Sequence, residues 1–351
     1  MEKFFLFFVA SVFLFFCNAV SGNEANVFEY QNPIEVPCAP DGIRDPQIVR
    51  HNGLYYMTGT IPGFWPGSVS PGVKLFSSPD LRNWKDEGFL IDRKTIPEAA
   101  WYRDRFWAPE LHAWQGKWYL SFNARNESKE HPHFHGCALA VADDIKGPYR
   151  MLTLDKPLVR GNDLHIFVDD DNRTYAFWNG GYIFACEIDL EKGTLTGIPK
   201  KLFTKSPEKT AWDYIGIEGS YVWKHNKRYY LFYSSWSRGY EVGYATADSV
   251  FGPWTKNPGN PIYGNVNPRV LRRFRLPLPA DYRKSPFLNC GHNAIFTGPD
   301  GNVWISAHGI RKDGTPRLCF DPLKIDVSGT ILYSGPTFEK QIVSFETTDR
   351  S

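Results

Sequence analysis

Asp45, Asp163 and Glu218 are far apart in the chain but sit in like surroundings. Each opens a short apolar stretch that reaches a polar turn and returns as an aromatic strand: Asp45 leads to Tyr55-Tyr56, Asp163 to Tyr175, Glu218 to Tyr229-Tyr230. A lone acid in such a place is ordinarily a strand-end residue bonded to backbone amides. Three at equivalent places of one repeat point to a site. Two carboxylates across a sugar suffice for glycoside hydrolysis: one, protonated, donates to the leaving oxygen, and the other, ionised, activates a water. With the pair roughly 6.5–9.5 Å apart that water fits and the anomeric configuration inverts. A third acid nearby raises the donor's pKa by like-charge repulsion. The longer side chain of Glu218 suits the donor, Asp45 suits the base and Asp163 suits the modulator.

The elements that must bring these acids together are legible as a repeat. Two more stretches follow the same plan, headed by Ala108 in Trp107-Ala108-Pro109-Glu110 and by His292 in Gly291-His292-Asn293. From head to aromatic the five pairs are 45 and 56, 108 and 119, 163 and 175, 218 and 229, 292 and 304. In the first, Asn52-Gly53 supplies the positive φ of a tight hairpin. Strand alternation prevails between turns, with many Gly, Pro and Trp and no sustained helical period. Units of this size, each holding several short strands, are β-propeller blades. Asp143 to Tyr149 and Asp248 to Trp254 close two of them with the same Asp and Gly-Pro-aromatic sequence. We therefore expect an all-β, five-bladed β-propeller in a single domain, 23–351. Its innermost strands line one channel, so heads from different blades converge.

Other segments are placed against this frame. The Gly/Pro-rich loop from Ile61 to Pro71 carries Phe64 and Trp65, which could stack on a sugar ring; long loops in compact folds are often functional. Glu110, beyond the head register, is expected to orient rather than react. His131, His133 and His135 alternate as metal ligands on a strand would, but without further ligands at fixed spacing they read as a solvated loop. Asp169-Asp170-Asp171-Asn172 lacks the glycine and distal glutamate of a calcium loop and reads as a turn. Arg269, Arg272, Arg273 and Arg275, in the connection from 264 to 288, read as solvated surface.

Formal net charge is +2 with no basic patch interleaved with aromatics, which argues against nucleic acid. Lys3, the apolar run Phe4 to Phe16 and the small residues Ala19 to Gly22 form a signal peptide, 1–22, too short to span a membrane. Secretion, extracellular or periplasmic, is the expectation, ahead of lipid anchoring at Cys17. Of the other cysteines, Cys290 and Cys319 fall in one blade and are the first pair to consider for a disulfide; buried free thiols are the alternative. Asn126-Glu127-Ser128 and Asn172-Arg173-Thr174 fit the glycan acceptor pattern.

Arg44-Asp45-Pro46, Trp107-Ala108-Pro109-Glu110, Asp163 four residues before Phe167, Glu218-Gly219 and Gly291-His292-Asn293 together resemble glycoside hydrolase family 43 over nearly the whole mature chain. Asp163-Leu164 stands where that family usually has Asp-Pro, and Ser220 where Pro often follows Gly; neither change removes a carboxylate. The resemblance implies a five-bladed propeller, an inverting mechanism, and base, modulator and acid at Asp45, Asp163 and Glu218. It implies that Trp107 helps form the sugar pocket, that His292 lines its floor through waters or a structural calcium ion, and that Arg317 is a further binding residue. No cofactor is required. The expected activity is hydrolysis of arabinofuranosyl, xylosyl or related bonds in oligo- or polysaccharides by a monomer. A non-catalytic sugar-binding propeller is the other reading of the same acids. A retaining enzyme of the invertase type is disfavoured, because Asp45 follows Arg44 rather than heading an Asn-Asp-Pro-Asn sequence.

Overall fold

The computed structural model describes residues 26–345 apart from 66–67, 129–134, 281 and 283. The expected signal peptide with Cys17, and His131 and His133, lie outside the described residues. Five antiparallel sheets follow one another along the chain, each a blade. Their innermost strands are Arg44–His51, Arg105–Trp114, Asn162–Val168, Glu218–His225 and Phe287–Thr297. Each pairs with the aromatic strand that the repeat located: Leu54–Thr60, Lys117–Arg125, Thr174–Asn179, Arg228–Ser235 and Val303–Arg311. These second strands are buried along nearly their whole length. Blades stacked face to face cover both sides of a strand, so Tyr175 to Trp178 reads as a continuous apolar run rather than an alternation.

Five apolar clusters fill the five interfaces between blades. Tyr56, Val73 and Leu75 meet Phe106 and Phe122 between blades one and two, for example, and Phe167 and Tyr175 meet Tyr229 and Leu231 between three and four. Blade five has only three strands of its own. Its outer edge is taken by the N-terminal segment: Ile34 bridges to Leu318, and the Asn32 side chain donates to Phe320 O and accepts from Phe320 N. Strand Asn26–Tyr30 then pairs with Gln341–Phe345. The two ends of the chain thus close the ring through backbone pairing that would otherwise be left open at an edge.

The feature that positions the site is a bulge repeated in all five inner strands. Pairing slips between Arg44 and Gln47, Trp107 and Glu110, Asn162 and His165, Glu218 and Tyr221, and Gly291 and Ala294. In each bulge one residue is left-handed: Asp45 (φ 51°), Ala108 (φ 44°), Asp163 (φ 59°), Gly219 (φ 65°) and His292 (φ 58°). For a residue with a Cβ this conformation costs about 1–2 kcal/mol. Bulges of this kind re-aim side chains beside active sites. The structure corrects the register read from the sequence. Glu218 stands one place earlier than Asp45 and Asp163, level with Arg44 and Asn162, because Gly219 takes the left-handed place without steric cost.

Three local expectations change. The connection after residue 264 contains a helix, Pro268–Phe274, started by Pro268 and capped by Asn267 Oδ1 on Arg269 N at 3.0 Å. All five described cysteines are free, and Cys290 and Cys319 lie buried in the same apolar cluster. Asn126 cannot carry a glycan: it is 1% exposed, and its Nδ2 donates to Glu98 O and Ala100 O at 2.9 and 2.8 Å. No helix among the described residues is long and apolar enough to cross a membrane.

Candidate active site

At the head ends of the inner strands lies a cavity of about 360 Å³, lined from every blade. Blade one gives Arg44 and Asp45, with Phe64 and Trp65 from its loop. Trp107, Ala108, Asn123, Arg125 and His135 come from blade two, Asn162 and Asp163 from blade three, Glu218 from blade four and His292 from blade five. The three acids expected to converge therefore do.

Their surroundings differ in sign. Asp45 Oδ2 accepts from Thr60 Oγ1 at 2.6 Å, and Oδ1 lies 3.4 Å from His292 Nδ1. The Asp45 amide donates to His308 Nδ1 at 3.1 Å. Burial by itself would raise the Asp45 carboxyl, but the charges of His292 and Arg44 outweigh it and hold it well below the usual carboxylate range. Burial pushes His308 down to about 4, which leaves its imidazole neutral. For His292 burial opposes the charged form, yet Asp45, Asp163 and Glu218 together raise it.

Glu218 moves the opposite way. Desolvation first, and then the charge of Asp163, raise it to about 7, against the hydrogen bond from Tyr240. Tyr240 Oη donates to Glu218 Oε1 at 2.6 Å and lies 3.3 Å from His292 Nδ1. Asp163 is fixed beside it: Oδ1 accepts from Asn123 Nδ2 at 2.7 Å and Oδ2 from the Gly219 amide at 2.8 Å. The Asp163 side chain thus holds the backbone one residue beyond the acid whose proton it retains.

The aromatic wall is braced from beneath. Trp107 Nε1 donates to Phe64 O at 3.0 Å. Arg105 is fully buried under the loop, donates to the carbonyls of Gly63 and Trp65, and pairs with Glu127 at 2.7 Å. Arg44 stacks on Trp65 at 4.9 Å. His135, expected in a solvated loop, is instead part of the cavity wall, edge-on to Trp107 with ring centroids 5.7 Å apart. Arg317 is not at the cavity. Its strand pairs on the far side of the second strand of blade five, and its Nε lies 3.3 Å from Glu35 Oε2, so the N-terminal segment takes its charge. Sequence reasoning missed Tyr240, Asn123, Thr60 and Arg105. Only Arg44 carried a signal, as the neighbour of a head residue.

Two sets of groups bear on metal binding. Near His292, both side-chain amide atoms of buried Asn293 lack a protein partner, while Asp45 and Glu218 are committed to Thr60 and Tyr240. Calcium takes six to eight oxygens; one imidazole and one amide do not supply them, and no step below runs through a metal. Deeper in the channel Glu110 Oε2 lies 2.7 Å from His165 Nδ1 and 3.5 Å from His112 Nε2. Glu110 lies away from the cavity and orients His165 by hydrogen bonding.

A ring of five blades with carboxylates from three of them lining one cavity suits a propeller enzyme built for acid–base chemistry. The chain belongs to Glycosyl hydrolases family 43, whose sequence pattern matches residues 30–331, and is a glycosidase that hydrolyses O-glycosyl bonds. It is 28% identical to the Beta-D-galactofuranosidase xynD of Aspergillus niger over 86% of this chain and 85% of that protein. It is 26% identical to a Putative beta-xylosidase of Escherichia coli, covering 83% of this chain and 52% of that one, so it spans about half the length of that relative. The crystal structure of a thermostable family-43 glycoside hydrolase superposes with a TM-score of 0.70 at 26% identity, over 91% of this chain and all of the other.

Proposed function

We propose that the protein is a secreted, inverting, exo-acting glycosidase that removes a terminal arabinofuranosyl, galactofuranosyl or xylosyl residue from a polysaccharide or oligosaccharide. One observation carries the reading: two carboxylates at one cavity are held in opposite protonation states, Asp45 ionised and Glu218 protonated up to about pH 7. The relatives above, a galactofuranosidase and a putative beta-xylosidase, suggest two of these sugars, and the resemblance in the sequence suggests the arabinofuranosyl. The apolar run near the N-terminus supports export.

In this mechanism the terminal sugar sits between Trp107, Phe64 and His292. Glu218 gives its proton to the glycosidic oxygen as the bond to the anomeric carbon breaks. Asp45 takes a proton from the water that attacks the opposite face. The products leave Asp45 protonated and Glu218 ionised, and exchange with solvent restores both. Asp163 does not touch the reacting atoms; its charge keeps the proton on Glu218.

The test is hydrolysis of nitrophenyl α-L-arabinofuranoside, β-D-galactofuranoside, β-D-xyloside and β-D-galactoside by the mature chain beside Asp45→Asn, the base being needed whatever the leaving group, with the first-formed anomer followed by NMR. Release absent in the variant, with inversion, is the expected result. Retention, or equal rates in the variant, overturns the mechanism.

A further inference from the structure

Glu218 is where three cavities meet. Besides the sugar pit it borders a trough of about 390 Å³ between blades three and four, lined by Gly180, Gly181, Lys205 and Ile217. It also borders one of about 190 Å³ toward blades five and one, lined by Trp65, Tyr240 and Ile310. Trp236 lines both troughs. Its side chain is 37% exposed, and the benzo edge lies over Gly216 so closely that a Cβ there would come within 2.4 Å of the ring. The ring is thus seated on backbone, as a fixed post between the two troughs.

A group that protonates the leaving oxygen must touch it, so whatever lies beyond Glu218, outside the pit, is the leaving group. A sugar cut from a chain end needs one exit. Two exits diverging at the acid suit a leaving sugar that is itself internal to a main chain and continues in both directions. We propose that the substrate of this site is a single-sugar branch on an internal residue of a polysaccharide. The main chain would lie across the two troughs, and the branched residue would pack on Trp236. The proposal rests on the glycosidase reading above and commits it to debranching.

The experiment uses the mature chain with two xylo-oligosaccharides, each bearing one arabinofuranosyl branch, on an internal residue or on the terminal one, beside methyl α-L-arabinofuranoside. Internal branches should be released at a kcat/KM equal to or above that for terminal ones. Trp236→Ala should lower kcat/KM on the internally branched oligosaccharide by about tenfold, the scale of one lost stacking contact, and leave the methyl glycoside within about twofold. Gly216→Ala, which displaces the ring without removing it, should act in the same direction. Refusal of internal branches by an enzyme that accepts terminal ones overturns the proposal, as does an equal loss on all three substrates in both variants. Silence of the wild type on the nitrophenyl panel as well as on these substrates removes the glycosidase reading itself, a separate failure.

Discussion

The inner ends of blades one and four are built on the same bulge and present carboxylates of opposite behaviour. At blade one the acid is the left-handed residue itself, drawn back against Thr60 and two histidines with Arg44 beside it. At blade four glycine takes the left-handed place, and Glu218 reaches forward from the position before it, toward Asp163 and Tyr240. The fold supplies the register; the neighbours supply the protonation state. Two identical acids in identical bulges would not make a donor and an acceptor. What separates them is that cations face one and an anion faces the other.

The comparison breaks most completely when either acid is neutralised. Glu218→Gln and Asp45→Asn should each lower kcat by about 10²–10⁴-fold on a glycoside whose leaving group needs protonation. Unchanged thermal melting and far-UV circular dichroism would show that the fold survives. Near-wild-type turnover in either variant would contradict the assignment. Next in size is the aromatic wall. Arg105→Ala removes the donor to Gly63 and Trp65 carbonyls and the partner of Glu127, so the loop that carries Phe64 and Trp65 should loosen. We expect kcat/KM to fall about tenfold, mostly through KM, with a stability loss of about 1–3 kcal/mol for buried hydrogen bonds left unmade. An unchanged KM in a folded variant would show that the loop does not bind sugar.

Much of this was legible in the sequence because it repeats. Five aromatic second strands, buried on both faces, made the blades countable, and Asp45, Asp163 and His292 at equivalent places announced a shared site. The misreadings have local causes. Glu218 was placed in the same register because a side chain says nothing about which of Glu218 and Gly219 turns left-handed. Arg317 sits in a fitting sequence, but its partner Glu35 lies in the N-terminal segment that closes the ring, and no local pattern records that docking. Tyr240 and Asn123 reach the acids from other strands, through contacts that the spacing of the heads does not encode. His135 reads as one of three alternating histidines in a polar loop, whereas it opens the strand His135–Ala142 and packs edge-on to Trp107 from there.

The smallest expected effects are the sharpest test, because they differ in sign. Asp163 and Tyr240 both touch the environment of Glu218, one raising its pKa by charge and the other lowering it by donating to the carboxylate. The alkaline limb of kcat/KM against pH reports loss of the Glu218 proton and should fall near pH 7 in the wild type. Asp163→Asn removes the repulsion while keeping a side chain of similar shape. Glu218 then ionises at lower pH, and the limb moves to the acid side. Tyr240→Phe removes the only group in that set that stabilises the ionised form by hydrogen bonding, so the limb moves to the alkaline side. The acid limb, set by Asp45, should stay below the usual carboxylate range in Asp163→Asn, since His292 and Arg44 remain against it. Two shifts of opposite sign on one limb would be hard to obtain from general loosening of the site, which moves both variants alike. Shifts of the same sign would mean that the proton lost on the alkaline side is not that of Glu218.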